Sequence, residues 1–465
     1  MGKFSKIGFV LATLGSSIGL GHIWRFPYMT GQMGGGAFIL LFFVLALSIG
    51  VSLLVADMII GNKGRSDVVG CFEALDSHPK KPWRFVGIAI IGGPLILSFY
   101  AVILGWILYY FFAISFQLPS TMELSKFNFM ELMVSHVWYQ ILGFSAVLGV
   151  TALIVSFGVK DGIEKLNLVL MPLLFIIFIG LLVYAMFQPS FMQAVHFLFG
   201  FRYEDLNGRV LVEAMAQMFF SLSLGVGTIV TYAAVSPSNQ NLLKSSLWVV
   251  IPGIAISLIV GLIIFTFFFG YEGVLEKGGD GGMDLVFISL PLIFAEFGAV
   301  GQFLCFAFLG ALIFAGITST ISLLEPSVFY FTQRYKVSRI KASLAISAIV
   351  FVLGLLAIDS FRAFYIGKHF TPEFYPALVA AVGEMSRAFS NNTFFFLDMI
   401  TAKVIMPLSA LASIIFLGYA MKTQRVREFT QGFLSPLSFA IWYAIIRYVA
   451  PFVIVAVFLF QIFAQ

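Results

Sequence analysis

The stretch Gly15-Ser16-Ser17-Ile18-Gly19-Leu20-Gly21-His22-Ile23-Trp24-Arg25-Phe26-Pro27 lies inside the first apolar segment and decides how the chain folds. Three glycines within seven residues loosen a helix at membrane depth, and a full charge follows four residues later. Lipid offers no partner to an unpaired N–H or C=O, so such a break has to face protein or a wet cavity. The half-helix that ends there offers carbonyls to a cation, and the half-helix that begins there offers amides to an anion. The stretch therefore predicts a binding site for a zwitterion beside a metal ion.

The composition around this stretch is that of a membrane protein. Of 465 residues, 60% are hydrophobic and 11% are charged, and the mean hydropathy is +1.01. A soluble core cannot use that much apolar surface, so we expect an all-α polytopic membrane protein. Apolar runs of about 20 residues predict about eleven spans, near 5–30, 36–61, 85–116, 138–157, 165–187, 209–234, 243–270, 301–333, 338–358, 393–421 and 435–463.

The basic residues orient the chain. If the N-terminus is inside, 17 of the 27 Lys and Arg residues fall in inner loops and 7 in outer loops. The positive-inside rule then places the N-terminus in the cytoplasm and, with an odd number of spans, the C-terminus outside. We expect a cell inner (plasma) membrane location with the lipid bilayer as a partner, and no nucleic-acid surface. Cys71 and Cys305 imply no disulfide framework.

A second interruption, Phe219-Phe220-Ser221-Leu222-Ser223-Leu224-Gly225-Val226-Gly227, lies in the sixth span. Two glycine-broken spans about five helices apart are typical of an inverted repeat with its substrate site at the midplane between the halves. We therefore predict one transmembrane domain over 1–465. Its first repeat is 1–187 (spans 1–5), its second is 209–421 (spans 6–10), and 435–463 is an added eleventh span.

At this point the residues resemble a known family. Gly-x-Gly-x-x-Trp-Arg-Phe-Pro in the first span, Gly-Gly-Gly-Ala-Phe opening the second, Phe-Phe-Ser-Leu-Ser-Leu-Gly in the sixth and Ala315-Gly316-Ile317-Thr318-Ser319 in the eighth are similar to the neurotransmitter:sodium symporter family. The bacterial amino-acid transporter (LeuT-like) branch, part of which has eleven spans, fits best. The resemblance covers essentially the whole chain and implies a 5+5 inverted-repeat fold with unwound first and sixth spans. It also implies a symporter that uses inward sodium flow to import an amino acid by alternating access.

The cation site that the resemblance implies is made of neutral oxygens. Ala315, Thr318 and Ser319 share one helix face at i, i+3 and i+4, and Gly15 and Ile18 add carbonyls from the first break. Five neutral oxygens suit a monovalent hard cation better than a divalent one. The alternative is that these hydroxyls bond to their own or a neighbouring helix.

The family's first sodium site is degraded in this chain. Its two side-chain amide or carboxylate positions are His22 and Gly253, and imidazole is a poor ligand for sodium. We therefore expect one sodium ion rather than two, with His22 either a protonatable group that shares in coupling or a neutral, hydrogen-bonded core histidine. Chloride is left open, because Gln217, Ser221 and Ser257 fit the family's chloride site and Phe42 and Gly253 do not.

The resemblance also implies the substrate site. The carboxylate would meet the amides of Leu20 and Gly21 and the hydroxyl of Tyr100, and the ammonium would lie among the carbonyls of Ser17 and Phe220 and the Ser223 hydroxyl, beside Ser221. A mostly apolar side-chain pocket implies a neutral, hydrophobic amino acid, with Val226 leaving room for an aromatic one. The implied pocket lining is Ile96, Tyr100, Phe220, Val226, Ser319 and Leu323.

Arg25 and Asp398 are the expected extracellular gate. An ion is costly inside a bilayer, so pairing above the substrate would resolve both charges; the alternative is that both snorkel to the outer interface. The family's inner ion pair has no counterpart here, since the N-terminus offers only Lys3 and Lys6 and the position of the acid is Gln333.

Three rival interpretations remain. A proton-coupled amino-acid transporter would use His22, and its uptake would persist without sodium. A channel-like protein would show rings of repeated polar residues, which the asymmetric pair of broken spans does not resemble. An enzyme is not expected, because no nucleophilic triad, His-x-x-x-His pair or acidic metal cluster lies at a suitable depth. The sequence does not separate a monomer from a homodimer.

Overall fold

The computed structural model describes residues 2–114, 136–270, 290–366 and 393–463. Within those ranges the chain is helical and contains no strand. Apolar residues fill these helices on nearly all sides, as expected where lipid rather than water surrounds the bundle. The helices are α1 (Lys6–Ser17), α2 (Gly21–Gln32), α3 (Gly36–Gly64), α4 (Val68–Leu75), α5 (Pro82–Ile114), α6 (Val137–Gly158), α7 (159–186), α8 (Phe191–Phe199), α9 (Gly208–Ser221), α10 (Thr228–Ala234), α11 (Leu242–Phe269), α12 (Leu290–Glu296), α13 (Gly298–Tyr335), α14 (Arg339–Ile366), α15 (393–420), α16 (Thr423–Thr430) and α17 (436–463).

The helices account for the predicted spans. By length and composition, eight described helical stretches could cross a membrane, and the pair α1 and α2, bent by 50° at its break, makes a ninth. One of the eight, Val137–Met186, holds two predicted spans, because Gly158 has a φ of +88° and separates α6 from α7. The sixth predicted span is the short pair α9 and α10. Each of the eleven predicted spans thus coincides with a helix or a broken pair, while the number of crossings itself stays a sequence prediction.

Both predicted interruptions are real breaks. In the first span the helix ends at Ser17, and Ile18 is extended, with φ −78° and ψ 93°. The chain then resumes through a π-helical turn, Gly21–Arg25, a form that often marks functional sites. In the sixth span three residues between α9 and α10 have left-handed backbone, namely Ser223, Gly225 and Gly227, with φ of 51°, 80° and 79°. Neither glycine tolerates a side chain without strain there.

The two breaks lie against each other in the middle of the bundle. The Ser17 hydroxyl donates to the Ser221 carbonyl at 2.7 Å, and the Ser223 hydroxyl donates to the Ser16 carbonyl at 2.8 Å. The long helices α5 and α13 pack on each other beside them, and α10 packs on α3. These contacts give backbone groups freed by one break a partner in the other, as an apolar surrounding requires.

The N-terminal end of the first span is held by polar and aromatic contacts. Ser5 caps α1 by accepting from the Gly8 amide at 2.9 Å, and its hydroxyl donates to the Glu164 carboxylate at 2.6 Å. The Phe4 amide donates to the Val235 carbonyl at 3.1 Å, and the Phe4 ring meets Tyr232 edge to face at 5.4 Å. This anchor occupies the part of the fold where the sequence lacks the family's inner ion pair.

Candidate functional site

A central cavity separates the two breaks. In this conformation it leaves about 30 Å³ for molecules of the size of water, which is room for about two waters. Its lining combines backbone of both breaks with side chains of α5, α13 and α15: Ser16, Ser17, Gly19, Gly21, Ile96, Tyr100, Phe220, Ser223, Val226, Ser319, Ser322, Leu323 and Met406.

This lining contains nearly every residue that the sequence predicted for the substrate. Ile96, Tyr100, Phe220, Ser223, Val226, Ser319 and Leu323 all face the cavity, as do Ser17 and Gly21. The two remaining predicted residues, Leu20 and Ser221, are buried directly behind it at 2% and 0% exposure. Sequence reasoning did not assign Ser16, Gly19, Ser322 or Met406 to the substrate. Ser322 lies one helical turn after the predicted Ser319, whereas Met406 has no predicted residue within a turn.

The polar edge of the cavity lies at the first break. The Leu20 amide donates to the Tyr100 hydroxyl oxygen at 3.0 Å. A methyl group on Gly19 would collide with the Ser319 hydroxyl and come within 2.7 Å of the Tyr100 oxygen. Only glycine lets α5 and α13 approach this backbone. The arrangement presents amide and hydroxyl donors at the start of a helix, which suits a carboxylate.

The carbonyls predicted for an ammonium group are partly used. The Ser17 carbonyl accepts from His22 Nδ1 at 3.0 Å, and the Phe220 carbonyl accepts from the Ser223 amide at 3.3 Å. A carbonyl oxygen has two lone pairs, so that of Ser17 retains one, whereas that of Phe220 also accepts from the Leu222 amide. The Ser223 hydroxyl donates to the Ser16 carbonyl and can still accept.

Gly15 and Thr318, two of the residues predicted for the cation, approach each other at the first break, since a methyl group on Gly15 would lie 3.3 Å from the Thr318 Cβ atom. The Ala315 carbonyl accepts from the Thr318 hydroxyl at 3.0 Å, and both residues are buried. The Ser319 hydroxyl oxygen is buried without a hydrogen-bond partner. Among the described residues nothing donates to the carbonyls of Gly15 and Ile18. Buried oxygens left without donors are what a bound cation would satisfy.

His22 and Gly253 lie face to face. A carbonyl oxygen can only accept, so His22 Nδ1 carries the hydrogen that Ser17 receives, and Nε2 points towards α11. A methyl group on Gly253 would lie 2.9 Å from that nitrogen. The imidazole therefore fills the space that a side chain at position 253 would need.

Two of the residues predicted for chloride, Gln217 and Ser257, donate hydrogen bonds to carbonyls of the first break. Gln217 Nε2 donates to the Gly21 carbonyl at 2.7 Å and to the Ser221 hydroxyl oxygen at 2.8 Å, while its Oε1 is buried without a partner. The Ser257 hydroxyl reaches the His22 carbonyl at 3.5 Å. Phe42 is fully buried against Phe26, with ring centroids 5.2 Å apart. The amide hydrogens of Gln217 are thus already committed to the protein.

The two gate residues are separate in this conformation. The guanidinium of Arg25 lies over the Phe220 ring, 5.1 Å from its centroid. The Asp398 carbonyl accepts from the Thr401 hydroxyl at 3.2 Å. The ion pairs among the described residues do not include one between Arg25 and Asp398. The Arg25 guanidinium therefore stacks on a ring that lines the cavity.

A larger hollow of about 450 Å³ lies elsewhere, at the ends of α7 and α11, lined among others by Gln193, Thr266 and Glu296. It touches neither break, and it borders on positions outside the described ranges. The central cavity is smaller but carries the convergent polar groups that a binding site needs. The described residues contain no cluster of three or more His, Cys, Asp or Glu side chains that could hold a metal ion.

Two broken helices around a buried, partly polar cavity define an α-helical membrane transport protein. A family model described as the sodium:neurotransmitter symporter family matches residues 3–133 and 134–465. The chain belongs to this family, which is a transporter family and not an enzyme family. The sequence-based recognition and the LeuT-type all-α fold class are confirmed, and membership implies sodium dependence.

Two relatives and one solved structure show how far the likeness extends. "Uncharacterized sodium-dependent transporter YhdH" of Bacillus subtilis is 32% identical over 465 residues, which cover 98% of this chain and 96% of the relative. The mouse "Sodium-dependent neutral amino acid transporter B(0)AT3" is 28% identical over 56% of this chain and 47% of its own length. The crystal structure of MhsT in complex with L-phenylalanine superposes with a TM-score of 0.83 at 32% identity, covering 99% of each chain.

Proposed function

We propose that this protein is a sodium-coupled symporter that imports a neutral, hydrophobic or aromatic amino acid by alternating access. The observation that carries the proposal is the central cavity, which joins donors at the first break to an apolar wall from α5, α9 and α13. A zwitterion with an apolar side chain matches both edges. MhsT was solved with L-phenylalanine, and a mouse relative is named a neutral amino acid transporter, which supports this substrate class.

In this proposal the substrate carboxylate binds the amides of Leu20 and Gly21 and the Tyr100 hydroxyl. The ammonium binds the Ser17 and Phe220 carbonyls and the Ser223 hydroxyl. The substrate side chain lies among Ile96, Val226 and Leu323. One sodium ion binds the oxygens of Gly15, Ile18, Ala315, Thr318 and Ser319, and chloride is not part of the proposal.

Sodium and substrate binding are coupled because both use the backbone of the first break. The carbonyls of Gly15 and Ile18 and the amides of Leu20 and Gly21 belong to one break, so an ion at the carbonyls fixes the backbone that the substrate needs. Closure over the substrate would then bring Asp398 to Arg25 above Phe220. The repeats 1–187 and 209–421, the cytoplasmic N-terminus, the outer C-terminus and the cell inner membrane complete the proposal.

The test is binding and uptake by the purified full-length chain. Binding of a panel of radiolabelled amino acids is measured in NaCl, KCl and choline chloride at several pH values, and uptake is measured in liposomes with imposed gradients. We expect saturable binding of apolar amino acids in sodium only, and uptake driven by an inward sodium gradient. Equally tight binding without sodium would overturn the cation assignment. Sodium-independent uptake driven by a pH gradient would instead support coupling through His22, and non-saturating flux would support a channel.

A further inference from the structure

A buried asparagine of the fifth span lies beside the predicted cation site. Asn167 is 1% exposed and stands in an otherwise apolar part of α7. Its side-chain oxygen is buried and has no hydrogen-bond partner. Buried polar atoms are nearly always paired, so an unpaired one calls for an absent water or ion as its partner.

The orientation of this amide is determined by its other end. Asn167 Nδ2 donates to the Ile163 carbonyl, four residues earlier, at 2.8 Å. Because a carbonyl can only accept, the NH₂ group must be on that side, and Oδ1 must point the opposite way. The oxygen is therefore fixed by the helix that carries it.

Oδ1 points at the first break. A methyl group on Gly15 would collide with Asn167 Oδ1 and would lie 3.3 Å from the Thr318 Cβ atom. The oxygen is thus next to the Gly15 backbone and on the side where Thr318 approaches. Gly15 and Thr318 come from different spans, and both belong to the proposed cation set.

We propose that Asn167 Oδ1 is a further ligand of the cation at this site. The inference rests on the proposed sodium coupling. It adds a sixth oxygen to the five expected from the first and eighth spans. An amide oxygen is neutral and hard, so the site keeps its preference for a monovalent ion.

The added ligand changes what the ion holds together. With Asn167 included, one ion binds α1, α7 and α13 at once. Three residues before Asn167, Glu164 accepts from the Ser5 cap of α1. The fifth span therefore contacts α1 directly at Glu164 and, through the ion, at Asn167. Loss of the ion would release the contact at Asn167.

The probe for the test is the alkali ion alone. The thermal midpoint of the purified full-length chain is followed as NaCl replaces KCl at constant ionic strength, and the sodium concentration at half-maximal shift is read for each variant. A ligand that binds only the folded state raises the midpoint in proportion to its occupancy. Asn167→Leu keeps the branched shape but removes the oxygen and the NH₂ group, and Asn167→Asp keeps an oxygen. Thr151→Val is the control, since it removes another buried hydrogen bond, the 2.7 Å contact with Thr320.

We expect Asn167→Leu to raise the half-maximal sodium concentration at least tenfold, whereas Asn167→Asp and Thr151→Val stay within about threefold of the unmodified chain. The ratio of lithium to sodium affinity should also change in Asn167→Leu, which a purely structural role would not cause. An unchanged sodium midpoint and ratio in Asn167→Leu would overturn the inference. If the unmodified chain does not respond to sodium at all, the proposed coupling itself fails.

Discussion

The carbonyls of the first break fall into two groups that differ in their partners. Those of Ser16, Ser17 and Gly21 accept hydrogens from Ser223, His22 and Gln217, and we call them the closed group. The carbonyls of Gly15 and Ile18 receive no donor among the described residues. The side-chain oxygens of Asn167 and Ser319 also lack a hydrogen-bond partner, and Asn167 Oδ1 lies next to Gly15. We call these four oxygens the open group.

The difference explains why one stretch of backbone can favour a single ion. An alkali ion needs several oxygens without competing donors. The open group supplies them, whereas each carbonyl of the closed group already accepts a side-chain hydrogen of the protein. His22 contributes to this difference, because its Nδ1–H donates to the Ser17 carbonyl. This difference is why we propose one sodium ion per cycle.

The largest expected effect comes from destroying the open group. Thr318→Ala with Ser319→Ala removes the Ser319 oxygen of the open group and the hydroxyl of the neighbouring Thr318, while leaving the closed group intact. Hydrogen-bond-like contacts to a charge contribute roughly 1.5–3 kcal/mol each, so the half-maximal sodium concentration for substrate binding should rise about 100-fold or more. Titration of substrate binding against NaCl measures this.

Ser343→Ala is the matched control for that double variant, since its hydroxyl is also buried but donates to Ala152 at 3.0 Å, away from either group. Its sodium dependence should equal that of the unmodified chain. A double variant that retains the normal sodium dependence would show that the open group is not the ion site.

The second prediction concerns substitutions at Gly253 and His22 that free the Ser17 carbonyl of the closed group from its donor. In Gly253→Asn alone, the new side chain collides with His22, and overpacking of this kind costs about 1–3 kcal/mol. We expect substrate binding about tenfold weaker. When His22→Asn is added, the collision is removed, the Ser17 carbonyl loses its donor, and two amide oxygens enter. The Hill coefficient for sodium should then rise from about 1 towards 2.

His22→Asn alone is the control for the combined variant, because it removes the imidazole without adding the oxygen at position 253. It should bind substrate with a Hill coefficient near 1. A Hill coefficient near 2 in the unmodified chain would contradict the distinction between the two groups, since the closed group would then bind an ion without any substitution.

The third prediction tests the predicted gate, Arg25 and Asp398, independently of the open and closed groups. Asp398 does not contact Arg25 in this conformation, so Asp398→Asn should leave sodium-dependent binding within about threefold. If closure requires the pair, transport should fall about tenfold. Equilibrium binding and liposome uptake of the same preparation measure the two effects. Normal uptake in this variant would contradict the gating role.

Much of the site could be predicted because glycines mark both breaks in the sequence. Gly15, Gly19 and Gly21 in an apolar run mark a break that lipid would not tolerate, and the second break follows the same rule. The motifs then placed Tyr100 and Ser319 from other helices at the cavity, which spacing alone could not do. His22 and Gly253 were also singled out, although only the structure shows that one fills the space of the other.

What could not be predicted depends on contacts between distant segments. Asn167 is one polar residue in an apolar helix, and its sequence neighbourhood does not say that its oxygen points at Gly15. The Ser5–Glu164 contact joins residues 159 positions apart, and no local pattern links them. The separation of Arg25 and Asp398 is a property of one conformation, so a sequence that encodes several conformations could not specify it.

The smallest expected effect concerns the N-terminal end of α1, the helix that carries carbonyls of both groups. The Ser5 hydroxyl accepts from the Gly8 amide and donates to Glu164, so Ser5→Ala removes a helix cap worth about 1 kcal/mol. The thermal midpoint should fall by about 2 °C or less in a chain of this size. The sodium midpoint should shift less than about threefold, since neither group of oxygens is changed. Ser5→Thr keeps the cap and should restore the thermal midpoint. If Ser5→Ala instead shifts the sodium midpoint tenfold while Ser5→Thr does not, the open group depends on the anchoring of α1 as well as on its own oxygens.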